Sequence, residues 1–152
     1  MKEIESKFIE NLNSFNFNNQ DEALAKFSSL WNDINSYSKH IKKRIRNRDI
    51  ESEFEYLVNS FEVLSYSNEA YIETYPEENS DIWDRVFYNK QKSWAVVIGE
   101  NGKILTSYKI RDDIINTLEK HKELFQSKYE RKVVSDEFSK RVREIYERLT
   151  RV

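Results

Sequence analysis

Apolar positions recur at three-and-four spacing through Leu24, Phe27, Leu30/Trp31, Ile34, Tyr37, Ile41 and Ile45. This spacing predicts one amphipathic helix from about Glu22 to Arg46, with Asp21 as its N-cap. Ile4, Phe8, Ile9 and Leu12 share a face and predict a shorter helix over Glu3–Leu12. The Asn-rich stretch Asn11–Gln20 between them reads as a loop. Asp49 is read as the cap of a further helix carrying Phe54, Leu57, Val58 and Phe61.

The middle of the chain changes period. Ala70–Thr74 and Trp83–Tyr88 are short runs of aromatic and β-branched residues bounded by Pro76 and by Asn, Asp and Ser. Ser93–Ile98 and Lys103–Tyr108 flank Gly99-Glu100-Asn101-Gly102, and Asn-Gly between two such runs predicts a hairpin with a type I′ turn. Trp94, Val96 and Ile98 alternate with Ala95 and Val97, and Ile104, Thr106 and Tyr108 with Leu105 and Ser107. Helical spacing returns with Ile114, Ile115, Leu118 and Phe125 after Asp112-Asp113. It appears again with Phe138, Val142, Ile145, Tyr146 and Leu149 after Ser135.

Helices, then strands, then helices give an α+β class: helices flanking a small, mainly antiparallel sheet, with a C-terminal helical extension. The 152 residues are read as a single domain, with an N-terminal helical extension over 1–36, a core over 37–110 and C-terminal helices over 111–152.

Composition narrows the chemistry. With no cysteine there is no disulfide framework and no thiol nucleophile. His40 and His121 are the only histidines, and Glu51/Glu53/Glu55 and Glu77/Glu78 lack a ligand pattern, so no metal and no cofactor are expected. Aromatics at 14% argue against disorder, although charged residues reach 34%. The charged start at Met1–Glu10 and the lack of a long apolar run lead us to expect a cytoplasmic protein with no membrane partner. Two glycines and one proline predict few tight turns.

Lys39-His-Ile-Lys-Lys-Arg-Ile-Arg-Asn-Arg48 holds six basic residues and no acidic one, in a chain of net charge -2. On a helix His40, Lys43, Arg44 and Asn47 share a face, with Ile41 and Ile45 beside them on the stripe expected to be buried. Fixed cations favour the neutral imidazole, which can act as a base, and they suit a phosphate. A solvated face favoured by the helix dipole is the plain alternative. Thr106 and Tyr108 offer hydroxyls to a phosphate, but both are also ordinary strand formers. Arg85 suits phosphate or a stacked base and equally suits pairing with Asp84 or Glu73. His121, among lysines, reads as solvated.

Taken together, the helix ending in His40-Ile-Lys-Lys-Arg44, a second helix, strands and Trp94-Ala-Val-Val-Ile-Gly-Glu-Asn-Gly-Lys-Ile-Leu-Thr-Ser-Tyr108 resemble the barnase–EndoU–colicin–RelE superfamily of small RNases, in its phage and polymorphic-toxin branches. The resemblance covers about Tyr37–Ile110. It implies a metal-independent endoribonuclease toxin cleaving RNA, tRNA among the candidates, through 2′-hydroxyl attack. In that scheme His40 is the acid or base, Lys43 and Arg44 hold the scissile phosphate, and Thr106 hydrogen-bonds it. Arg46, Arg85, Ser107 and Tyr108 are the substrate-binding candidates. A neutralising immunity or antitoxin protein would be a partner besides RNA. The alternative is a non-enzymatic protein-binding module: an immunity protein, an antitoxin or a phage-encoded adaptor.

Overall fold

The computed structural model describes residues 3–151, so Met1 and Lys2 of the charged start lie outside it. It is α+β, as expected. Among the described residues there are six helices: α1 (Ile4–Leu12), α2 (Gln20–Phe27), α3 (Ile34–Arg46), α4 (Glu53–Ser65), α5 (Ile114–Phe125) and α6 (Asp136–Thr150). The five strands are β1 (Glu69–Tyr75), β2 (Ile82–Asn89), β3 (Trp94–Gly99), β4 (Ile104–Lys109) and β5 (Lys128–Arg131), in the order β4-β3-β2-β1-β5 with every pairing antiparallel. None of the helices is long and apolar enough to cross a membrane.

The predicted helix from Glu22 to Arg46 is two helices. The chain tightens at Ser28–Leu30 and then extends. Trp31 bridges to Ile104, and the Asn32 amide donates to the Ile104 carbonyl at 2.9 Å. Asp33 restarts the helix by accepting from the Asn35 amide, while Asn19 rather than Asp21 caps α2. The break resets the helical phase. Ile45 is left 43% exposed, and the α3 residues facing inward are Tyr37 and Arg44.

Ser52, not Asp49, caps α4; the Asp49 carboxylate pairs with Arg111. Ser135 and Asp113 cap α6 and α5, as their positions in the sequence suggest. The strand β5 has no counterpart in the sequence reading. Its Lys-Tyr-Glu-Arg has no alternation to reveal it, and pairing with β1 makes it a strand.

The hairpin is present, but its turn differs from type I′. Only Gly102 takes a positive φ (73°), and its amide bonds the Gly99 carbonyl at 2.9 Å. That is the longer hairpin turn closed by a left-handed glycine. A Cβ on Gly102 would lie 2.6 Å from the Lys7 carbonyl carbon, so the turn sits directly on α1. Turns elsewhere dispense with glycine: Arg48, Ser93 and Gln126 take positive φ themselves.

Each sheet face carries its own cluster. On one face Phe87, Trp94, Val96, Ile98 and Ile104 pack with Phe8, Tyr56, Phe61, Phe138 and Leu149 of α1, α4 and α6. On the other, Tyr71, Val86, Tyr88, Ala95 and Val97 pack under Ile114 and Leu118 of α5. A bulge at Val97/Ile98 breaks the expected alternation in β4. Ile104 and Ser107 therefore share the first face, while Leu105 and Tyr108 lie on the second.

Candidate functional site

The break at Trp31–Asp33 sets α3 beside the outer edge of β4, so its basic end faces the last strand of the sheet. Lys39, Lys42, Lys43, Arg44, Arg46 and Arg48 all lack an ion-pair partner among the described residues. A helix end with six cations and no carboxylate against them is a concentrated positive field on a nearly neutral chain.

Two members of this run turn inward. His40 is half-buried with its ring 5.7 Å from that of Trp31, and Arg44 Nη2 approaches its Nδ1 at 3.5 Å. Burial, and then the charges of Arg44 and Lys43, hold the imidazole below its ordinary 6.5. His40 Nε2 makes no hydrogen bond and is not among the enclosed unpaired atoms, so it is open to solvent. The imidazole is thus neutral and accessible.

Arg44 is only 8% exposed. Its guanidinium reaches the Tyr56 hydroxyl, and its Cζ lies 5.7 Å from the centroid of the Tyr108 ring. Its Nε has no hydrogen-bond partner among the described residues. Trp31 Nε1 is in the same position, in a side chain 4% exposed. Tyr108 is pushed up to about 12 by burial and by Glu73, against the pull of Arg44.

The other sequence candidates separate from this group. Arg46 is exposed on α3, beside the cluster and unpaired. Thr106 is half-buried, pairs with Val97 and makes no side-chain hydrogen bond, so nothing ties it to His40. Ser107 is a correction. It is fully buried, its hydroxyl accepts from Trp94 Nε1 at 2.8 Å and bonds Ser60 at 2.7 Å, and its carbonyl takes the Tyr56 hydroxyl. A hydroxyl so occupied in the core has nothing left for a substrate.

Arg85 is the second correction. It pairs with neither Asp84 nor Glu73, but with Glu5 of α1 at 3.1 Å, and it also bonds the carbonyls of Lys132 and Val133. It forms part of the wall of a cavity of about 340 Å³, along with Ile4, Glu5, Ile72, Trp83 and Val133. That cavity lies away from α3.

His121 is not solvated as its lysine neighbours suggest. Its Nδ1 lies 3.0 Å from Glu73 Oε2, a carboxylate 2% exposed on β1, and 3.4 Å from the Tyr75 hydroxyl. The bond to Glu73 raises the imidazole above its ordinary value, and Asp84 adds to the rise. Asp84, register partner of Glu73, is itself pushed up to about 6 by burial and by the neighbouring carboxylates. Glu73 and His121 are 48 residues apart, and no local motif links them. This pair sits over β1, three strands from β4 in the sheet order, and the Glu73 charge is felt by Tyr108.

No solved structure gives a significant match to this chain. A protein of Aquifex aeolicus (strain VF5), described as uncharacterized protein aq_aa01, is 34% identical over 70 residues, 46% of this chain and 50% of its own length. The chain thus spans about half the length of that curated relative. The cationic end of α3, its Trp31 neighbour and the Glu73–His121 pair all fall within the residues 19–152 that match a family model described as Uncharacterised protein aq_aa01, and the chain belongs to that family.

Proposed function

We propose that this protein is a metal-independent endoribonuclease-like domain with its RNA site at the α3–β4 edge. The observation that carries this reading is the set of six cations over Lys39–Arg48, at and just past the end of α3, with no ion-pair partner among the described residues, around one neutral imidazole. Arg44 Nη2 faces His40 Nδ1 in the free protein; as Arg44 turns to the phosphate, the ring proton passes to Nδ1, Nε2 takes the proton of a ribose 2′-hydroxyl, and the 2′-oxygen attacks the adjacent phosphorus. The bond to the 5′-oxygen breaks, and that oxygen takes a proton from solvent. A 2′,3′-cyclic phosphate and a 5′-hydroxyl result. Arg44 and Lys43 stabilise the charge that gathers on the phosphoryl oxygens. Arg46 extends the positive track, and Tyr108 supports the guanidinium from below.

The test is incubation of the pure protein with total RNA and EDTA, beside His40→Ala and Arg44→Ala. Cleavage by the wild type that both variants lose supports the reading, and an inert wild type at high concentration ends it. A second reading, as a protein-binding module, is favoured by the exposed Trp83 and Val133 at the 340 Å³ cavity. An inert wild type that forms a discrete protein complex, abolished by Val133→Asp, decides for that one.

A further inference from the structure

Among the described residues two buried side-chain N–H donors have no acceptor, and the side chains that carry them border the same two rings. Arg44 Nε belongs to a guanidinium that touches His40 at 3.5 Å and reaches Tyr56. Trp31 Nε1 belongs to an indole 5.7 Å from His40 and 5.8 Å from Tyr56, ring to ring. Both side chains are more than nine-tenths buried. A buried donor left unpaired is costly, and native proteins satisfy nearly all of theirs. Here the two orphans are both donors, one carries a positive charge, and among the described residues Arg44 has no ion-pair partner; the neighbouring Glu53 is taken by the Tyr37 hydroxyl. An acceptor that completes the arrangement brings its own oxygen, and a negative one suits the Arg44 charge. The half-buried His40 ring touches both side chains.

We propose that Trp31 Nε1 and Arg44 Nε are the inner donors of an oxyanion seat that takes one oxygen of a phosphate group entering past His40. This rests on the reading of the α3 cluster as an RNA site, and it adds Trp31, which neither motif nor charge pattern marks. A single oxygen between the two donors anchors the phosphate. Lys43 and the outer guanidinium nitrogens meet its remaining oxygens.

The experiment uses the full chain labelled with ¹⁵N and follows the indole N–H resonance of Trp31, assigned by its loss in Trp31→Phe. Inorganic phosphate is titrated at an ionic strength held constant with chloride. The expected result is a saturating shift of the Trp31 signal that chloride alone does not produce. Trp31→Phe, followed through the thermal upshift caused by phosphate, and Arg44→Lys should each weaken binding by about tenfold or more. A 2′-O-methyl RNA that displaces phosphate at the same resonance identifies the RNA backbone as the source, and one that does not identifies free phosphate. An indole signal that ignores phosphate in the wild type overturns the seat, whatever the variants do. RNA cleavage with an unmoved indole sinks the seat alone. A filled seat without cleavage sinks the nuclease reading alone.

Discussion

The Arg44 guanidinium carbon lies 5.7 Å from the centroid of the Tyr108 ring, so a buried cation of α3 rests on an aromatic face rather than against a carboxylate. Such an arrangement holds the charge in place without neutralising it. A buried charge kept unpaired opposes folding, which makes this position a place where stability and ligand recognition separate.

Replacing Arg44 by Met removes the unpaired charge and keeps most of the side-chain volume. The expected outcome is a fold as stable as the wild type or more stable by about 1 kcal/mol, with RNA binding lost. Urea denaturation alongside a filter-binding assay reads both. A large loss of stability would show that Arg44 serves the core instead.

The two histidines act on stability in opposite senses. His40 lies below 6.5 in the folded state through burial and the charges of Arg44 and Lys43, so below about pH 6.5 the unfolded chain binds the extra proton and stability falls. His121 lies above 6.5 through its bond to Glu73. Its contribution is complete below that value and is lost as the pH rises through the folded pKa. His40→Gln should flatten the limb below about pH 6.5, and His121→Gln the limb above it. Denaturation midpoints between about pH 5 and about pH 8 check this as variant-minus-wild-type differences, because Asp84 at about 6 titrates in the same window.

Ser107→Ala should cost about 1–3 kcal/mol, since it strands Trp94 Nε1 inside the core and leaves the Ser60 hydroxyl with the Tyr56 carbonyl alone. RNA cleavage, measured where both proteins are folded, should not change. A selective loss of cleavage would return Ser107 to the site.

Gly102→Ala should destabilise by about 2–4 kcal/mol. Its φ of 73° disfavours a side chain, and the new Cβ would meet the Lys7 backbone at 2.6 Å. Gln126 at φ 58° ends α5 in open surroundings, so Gln126→Gly should gain about 1 kcal/mol. Thermal midpoints of the two variants, moving in opposite directions, check the pair.

The strands β1 to β4 were legible because alternation and the Asn-Gly signal are local. The caps at Asp113 and Ser135 were legible for the same reason. The break in the long helix was not. Apolar spacing runs straight through Leu30, Trp31 and Ile34, and what ends α2 is a bridge to Ile104, 73 positions away. That break also hides which side of α3 faces inward: the spacing puts Ile45 on the stripe expected to be buried, whereas the fold exposes it and buries Arg44. Of the candidate site, His40, Lys43, Arg44, Arg46 and Tyr108 gather at one edge as their chemistry suggests. Ser107 and Arg85 have partners, Trp94, Ser60 and Glu5, that only the fold assembles, so no local pattern announces them. Trp31 and the Glu73–His121 pair gave no local signal at all.

Both margins of the sheet are guarded against recruiting a foreign strand. Along β4 the segment at Trp31–Asn32 already occupies the backbone of Ile104, and at the far side β5 is only four residues long, three of them charged. A chain with so many aromatic residues and two sheet faces to hide would otherwise be prone to stacking edge to edge. The same strap that aims the cations of α3 therefore also keeps the molecule from polymerising through its own strands.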